Sequence, residues 1–414
     1  MQKTPKSLRL HIGLFGRTNV GKSSFLNYVT AQDVAITSPV PGTTTDGVEK
    51  TMELLPLGPV VFLDTAGVDD VSDLGGLRTD KTKRIYDLCD VVVLLTEPLG
   101  WGPYEDKIVE EARSRKIPFL IVINKIDLEA PDASFLEEVR KKTDKIILCS
   151  CQDRSQRDGI VHLFKKYLLE LCPENFLDAL PLIGDLIPSP GLAVMIVPID
   201  KEAPKGRLIL PQVQALRDSL DSGSASLVVR ETEYLAMLSR LKTHPDIVVC
   251  DSQVVDRMVR ETPPEVKCTT FSILFARSKG DLEEMVRGVR TINSLKPGDK
   301  VLIAESCSHH AIEDDIGRVK IPLWLKSFVG FDIVVDVCSG KDYPEDLGDY
   351  KLIIHCGSCM LTRRQMLARI QRAKEAGVAI TNYGLCIAFL YGILERVLSP
   401  FSPIDCRECK ALPL

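Results

Sequence analysis

Short, nearly continuous apolar runs, each followed by a stretch with helical spacing, organise the first part of this chain. Leu10–Phe15, Val60–Leu63, Val91–Leu95, Phe119–Ile123 and Ile146–Leu148 are apolar at almost every position. A strand with one face in water alternates apolar and polar residues, whereas a strand covered on both faces does not. These runs therefore predict buried strands of a parallel sheet with amphipathic helices on both sides. Pro181–Gly191 (PLIGDLIPSPG) then breaks the pattern and predicts a linker. A second block repeats it on a smaller scale, with strands predicted at Ala193–Val197, Ser226–Val229 and Ile247–Cys250. Its helices are predicted near Val213–Leu220 and Glu231–Leu241, and it ends at the breaker-rich Glu261–Lys267 (ETPPEVK). A third block has strands predicted at Lys300–Glu305, Asp332–Val337, Lys351–His355 and Val378–Thr381, with helices between. The expected class is α/β in three domains: a Ras-like P-loop domain at 1–175, a small α/β module at 188–262 and a C-terminal α/β domain at 268–400. A flexible tail at 401–414 is expected to follow.

Composition narrows the partners. With 6% aromatic residues and a net charge of −5, the chain lacks both a stacking platform and a basic surface for phosphate backbones, so no nucleic acid partner is expected. No apolar run approaches the roughly 20 residues of a spanning helix, and the opening MQKTPKSLRL has no signal-peptide core. A cytoplasmic protein without membrane contact is expected. Its 13 cysteines are odd in number and scattered. That pattern predicts reduced thiols, some of them core residues such as Cys89, Cys149, Cys250 and Cys386, and some of them metal ligands.

The first chemical motif is Gly16-Arg17-Thr18-Asn19-Val20-Gly21-Lys22-Ser23, set between a strand and a helix as a phosphate-binding loop must be. Gly16 and Gly21 let backbone N–H groups wrap the phosphates, Lys22 reaches the β/γ oxygens, Ser23 offers a hydroxyl to Mg²⁺, and Ser24 follows in the helix's first turn. Three further stations follow in order. Thr43-Thr44-Thr45 lie in a polar loop able to give a threonine, Thr44, to the metal. Asp64-Thr65-Ala66-Gly67 follows a strand, with Asp64 for Mg²⁺ and Gly67 for the γ-phosphate. Asn124-Lys125-Ile126-Asp127 ends another strand, where Asp127 accepts from the N1–H and amine of guanine. Ser150 and Cys151 would close over the base edge. GTP/GDP with Mg²⁺ is the expected ligand. The set resembles the translation-factor-related GTPases, most closely the branch of tRNA-modification and ribosome-assembly GTPases. Val68 stands where Ras-like proteins carry a water-orienting glutamine, which predicts slow intrinsic hydrolysis. Asn19 occupies the position that in that branch helps bind K⁺, which implies K⁺-stimulated hydrolysis.

The second motif is Cys307-Ser308-His309-His310 together with His355-Cys356-Gly357-Ser358-Cys359. Each follows a predicted strand, and in an open α/β sheet functional groups gather at the carboxyl ends of strands. Cys307, Cys356 and Cys359 are thus candidate metal ligands. By residue type alone, tetrahedral zinc with His309 or His355 as fourth ligand and a [4Fe–4S] cluster on three cysteines are both allowed. A redox or structural CxxC without metal stays open as well.

A guanine-nucleotide domain, a middle domain and a C-terminal CxH…HCxxC site together resemble the HydF family of [FeFe]-hydrogenase maturation GTPases, over nearly the whole chain to about Arg396. The resemblance implies a dimer formed by the middle domain and a [4Fe–4S] cluster on Cys307, Cys356 and Cys359. It implies a scaffold that carries a diiron precursor subcluster, built by two radical-SAM maturases, to apo-[FeFe]-hydrogenase. His309 and His355 match family histidines. Glu305, on the same strand face as Cys307, is a rival for the fourth iron. The second CxxC, Cys406 to Cys409, departs from the family pattern and has no role assigned by it. Two rival readings are a ribosome- or tRNA-directed GTPase with a structural zinc site and a GTP-gated redox protein using both CxxC pairs.

Overall fold

Covering both faces of the apolar runs requires a layer of side chains on each side, and each strand supplies them by alternation. The computed structural model describes residues 5–30, 49–64, 85–173, 180–199, 208–306, 315–340, 343–344 and 346–401. The chain divides into two compact units, Met1–Ala179 and Leu180–Leu414.

The first unit is built on strands β1 (Leu10–Phe15), β2 (Glu49–Leu54), β3 (Gly58–Asp64), β4 (Val91–Thr96), β5 (Phe119–Ile123) and β6 (Ile146–Leu148). They stand in the order β2-β3-β1-β4-β5-β6. All neighbours are parallel except β2, which returns antiparallel on β3. Helices α1 (Lys22–Thr30), α2 (Pro103–Ser114), α3 (Ala133–Arg140) and α4 (Arg157–Leu171) cover the faces. Alternate residues serve different cores: Val91, Val93 and Leu95 of β4 join Phe25 and Phe164 on one side, while Val92 and Leu94 join Ile108 and Phe135 on the other. That two-sided demand is why the sequence shows unbroken apolar runs.

The second unit holds two all-parallel four-stranded sheets. The first comprises β7 (Leu192–Ile196), β8 (Ala225–Val229), β9 (Ile247–Cys250) and β10 (Lys267–Thr270), in the order β10-β9-β7-β8. Between its strands run α5 (Leu210–Asp221), α6 (Tyr234–Leu238) and α7 (Val255–Glu261). Two helices, α8 (Phe271–Lys279) and α9 (Leu282–Val289), lead to the second sheet. That sheet is β11 (Lys300–Glu305), β12 (Val334–Ser339), β13 (Tyr350–His355) and β14 (Ala379–Asn382), in the order β12-β11-β13-β14. Its helices are α10 (Ile321–Val329), α11 (Arg363–Glu375), α12 (Tyr383–Leu390) and α13 (Leu394–Leu398). One apolar cluster contains Val194, Ile196 and Val248 from the first of these sheets and Val301, Ile303 and Ile353 from the second. Cys386 lies in that cluster, fully buried. Among the described residues no helix is long and apolar enough to cross a membrane.

The strands foreseen in the sequence are present within a residue or two. Two were not foreseen: β2, and β10 at the end of the presumed joint. The predicted helix at Glu231–Leu241 is only Tyr234–Leu238.

Candidate functional sites at the sheet edges

In the first unit the loop after β1 leads straight into α1, so the helix N-terminus faces the space above the sheet's carboxyl edge. Lys22 is 8% exposed, and its Nζ donates to the carbonyls of Gly16 (2.6 Å) and Arg17 (2.9 Å). Those bonds hold the ammonium across the loop. Ser23 and Ser24 follow in the first turn of α1. Asn19 adopts φ 63°, the left-handed conformation that Asn tolerates better than most side chains.

The loop is braced from an unforeseen direction. Asn124, buried at the end of β5, donates from Nδ2 to the carbonyl of Val20 at 2.9 Å. Its Oδ1 accepts from the backbone N–H of Cys151 at 3.3 Å and from the thiol of Cys149 at 3.6 Å. A Cβ on Gly21 would lie 2.3 Å from that same Nδ2, so only glycine lets the loop come this close. One amide therefore joins the phosphate loop to the Ser150–Cys151 loop. Lys125, at φ 64°, pairs with Glu97. Asp127 is exposed at the loop tip. The Cys149 thiol is held well above its ordinary range, first by its hydrogen bond with Cys151 and then by burial. Arg17 makes a two-pronged ion pair with the fully buried Glu105, at 2.8 and 2.7 Å.

Asp64 ends β3, 7% exposed. Burial raises its carboxyl above the usual range, against the opposing pull of Lys22 and then Lys50. Its Oδ1 is buried with no hydrogen-bond partner among the described residues. A buried carboxylate oxygen left over in this way suits a divalent cation or its water. The residues around it thus fit Mg²⁺ and a nucleotide phosphate. Thr43, Thr44, Thr45 and Gly67 lie outside the described residues.

The cysteine site sits where β11 sends one connection to β12 and β13 returns on the other side of β11. That reversal of strand order opens a crevice at the carboxyl edge. Ala304 of β11 pairs with His355 of β13, so Ser306 and Cys356 emerge side by side. Ser306 N lies 3.1 Å and Ser306 Oγ 2.8 Å from Cys356 Sγ. Cys307 and His309 lie outside the described residues, as do Cys406 and Cys409. Among the described residues no three His, Cys, Asp or Glu side chains converge on a metal position. Two sulfurs from one turn, with Ser306 beside the first of them, are donors of the kind that suit a thiolate-bound metal.

Ser358 within the turn and His355 with Arg369 behind it set its shape. Ser358 takes φ 56°, which turns the chain between the two cysteines. His355 is fully buried: Nδ1 lies 3.1 Å from both the Cys356 carbonyl and Ser358 Oγ, and Nε2 faces Arg369 Nη1 at 2.7 Å. Burial, and then Arg369, bring its pKa down to about 3, so the ring is neutral with Nε2 accepting from arginine. Both nitrogens are thereby engaged. Glu305, 2% exposed, accepts from Arg318 at 3.0 and 3.2 Å, and Tyr383 Oη lies 3.5 Å away. The Cys359 thiol is pushed up to about 11 by burial and then by Cys356, with Lys279 opposing.

Comparison with known proteins separates the two units in the same way. A hydrogen maturase F dimerization domain matches residues 182–280 and a hydrogen maturase F tetramerization domain matches 283–400. A 50S ribosome-binding GTPase domain matches 11–125. The tRNA modification GTPase MnmE of Prochlorococcus marinus (strain NATL1A) is 36% identical over 170 residues, 39% of this chain and 34% of that protein. MnmE of Synechococcus sp. (strain JA-2-3B'a(2-13)) is 40% identical over 123 residues, 29% of this chain and 26% of its own length. The chain spans about a third of the first of these relatives and a quarter of the second. The solved structure of an Era variant from Aquifex aeolicus superposes with a TM-score of 0.35 at 21% identity, covering 53% of this chain and 92% of that one.

Proposed function

This chain belongs to the hydrogenase maturase F family, and we propose that it is a GTP-hydrolysing scaffold that carries a diiron precursor to apo-[FeFe]-hydrogenase. The reading assigns GTP and Mg²⁺ to residues 1–175, the dimer contact to 188–262 and a [4Fe–4S] cluster to 268–400, all in the cytoplasm. Residues 401–414 are a tail without a part in it. Radical-SAM maturases would load the cargo.

In the nucleotide domain Lys22 would meet the β/γ oxygens, Ser23, Thr44 and Asp64 would surround Mg²⁺ and its waters, and Asp127 would select guanine. Val68 offers no side chain to orient water, which favours slow hydrolysis. Asn19 is the position for a K⁺ ion that would add positive charge in its place. Cys307, Cys356 and Cys359 would hold the cluster, which when bound supplies an iron with an exchangeable ligand to which cargo can attach. His355 serves the turn rather than the iron in this reading, because both its nitrogens are spent on Arg369 and the CxxC loop. Glu305 and His309 remain the candidates for the labile position.

The observation that carries the reading is the contact of Ser306 N with Cys356 Sγ at 3.1 Å, which brings the residue before Cys307 onto the CxxC turn. The test is anaerobic reconstitution with iron and sulfide, followed by metal analysis and activation of apo-hydrogenase. Wild type is expected to turn brown, bind about four irons and activate; Cys307→Ala is expected to do none of these. A colourless wild type containing zinc would overturn the scaffold role in favour of a GTPase with a structural metal.

A further inference from the structure

Lys279 closes helix α8 beneath the CxxC turn, and it is 7% exposed. Its Nζ donates to the carbonyl of Cys359 at 3.0 Å and to that of Leu361 at 2.9 Å. The ring of Phe275, one turn earlier, lies 5.0 Å away by centroid. Among the described residues no carboxylate pairs with it. An ammonium buried without an anion is costly, and proteins rarely keep one unless a compensating charge arrives. Leucine or methionine would fill the same space against Phe275 without that cost. The position of the charge is specific as well: it grips the chain at the second cysteine and again two residues later. α11 starts just beyond, fixed by Thr362 Oγ1 accepting from Gln365 N and Gln365 Oε1 accepting from Thr362 N.

Resting on the cluster reading above, we propose that Lys279 is a positioning residue for that cluster, supplying its counter-charge while fixing Cys359. Three thiolates on a [4Fe–4S]²⁺ core sum to a net charge of about −1, and one-electron reduction makes it about −2. A buried cation within reach of the Cys359 peptide favours the more negative state, because the low-dielectric surroundings screen it little. The lysine also draws electron density from the Cys359 carbonyl, on the residue whose sulfur binds iron. Arg363 supports the same corner from outside: its Nη1 donates to the carbonyls of Ser278 (2.7 Å) and Gly280 (3.2 Å), on either side of Lys279.

The test compares full-length wild type, Lys279→Met and Lys279→Arg after anaerobic reconstitution with iron and sulfide. Iron is counted, and a dithionite titration is followed by the paramagnetic signal of the reduced cluster. K279M is expected to load iron yet show at least a tenfold lower ratio of reduced to oxidised cluster at equal potential, about 59 mV for a one-electron couple. K279R is expected to titrate with wild type. Loss of iron from K279M alone, with K279R loaded, supports the positioning part of the inference, since arginine keeps both the charge and the donors to the Cys359 and Leu361 carbonyls that methionine lacks. A loaded K279M that titrates with wild type overturns it. So does iron loss from both variants, which would reduce Lys279 to packing. Iron-free wild type would instead remove the cluster reading and this inference along with it.

Discussion

Asn124 shows how much one side chain can carry when its donors and acceptor are both buried. Its amide donates to Val20 in the phosphate loop and accepts from the loop at Cys149 and Cys151. Asn124→Ala would leave the Val20 carbonyl and the Cys151 N–H without partners. Each unmet buried group costs about 1–3 kcal/mol, and 1.4 kcal/mol is a factor of ten in binding. The expected result is therefore a loss of at least about 10-fold in affinity for GDP and GTP alike, read by titration with a fluorescent guanine nucleotide. An unchanged affinity would mean that the two loops hold their shape independently. Asp64 makes a sharper case, because its buried Oδ1, without a hydrogen-bond partner among the described residues, is placed to serve a cation. Asp64→Asn keeps the shape and removes the charge. Nucleotide affinity measured in chelator should stay within about twofold of wild type, while the gain on adding Mg²⁺ should largely vanish. If the gain survives, the metal is held without this carboxylate.

At the scale of elements, the cysteine site follows from strand order more than from any local motif. β11 and β13 are neighbours whose connections leave in opposite directions, and that is where an open sheet presents a crevice. Helix packing fixes the sheet from behind: a Cβ on Gly288 of α9 would sit 1.9 Å from the carbonyl oxygen of Ile380 in β14. Gly288→Ala must push helix and strand apart, at about 1–3 kcal/mol for an overpacked core. For a unit of this size that is a fall of roughly 4–8 °C in melting temperature per 2 kcal/mol, visible in a thermal scan. A melting point within 1 °C or so of wild type would show that the contact relaxes freely. What the sequence made legible at this scale, and what it hid, divides along burial. Strands covered on both faces, such as β4 and β13, announce themselves as apolar runs. β2 is polar at alternate positions because it lies at the sheet's edge and exposes Glu49, Thr51 and Glu53. β10 reads as polar although Thr269 and Thr270 are fully buried, the Thr269 hydroxyl having no hydrogen-bond partner among the described residues. The helix predicted over Glu231–Leu241 is confined to Tyr234–Leu238, where Tyr234 is the one fully buried residue and Met237 and Leu238 pack only partly against the core; short helices need packing to persist. The motif residues stand out in the sequence because phosphate- and metal-binding chemistry restricts residue types. Lys279, Arg369, Glu105 and Ser306 were not, since nothing in the surrounding pattern distinguishes a buried lysine at a helix end from a solvated one.

For the whole molecule, the cores give the strongest statement. The apolar clusters of residues 10–172 and those of residues 182–398 have no member in common, so each unit has its own reason to fold. Calorimetry of the full chain should then resolve two transitions, and each should answer to a different ligand. GDP with Mg²⁺ at about 100 times its Kd stabilises whatever binds it by about 2.7 kcal/mol. Spread over a unit of some 180 residues, that moves its transition up by roughly 5–10 °C. The other transition should stay where it was. It should instead rise with protein concentration, because the matched dimerization and tetramerization domains lie wholly within Leu180–Leu414 and association coupled to folding makes a melting point depend on chain concentration. A GDP titration and a dilution series on the same sample separate these effects. Were GDP to lift both transitions together, the nucleotide would be acting on the association of the C-terminal unit as well as on its own domain. The size of that shift in the second transition would measure how strongly nucleotide binding is coupled to association of the C-terminal unit.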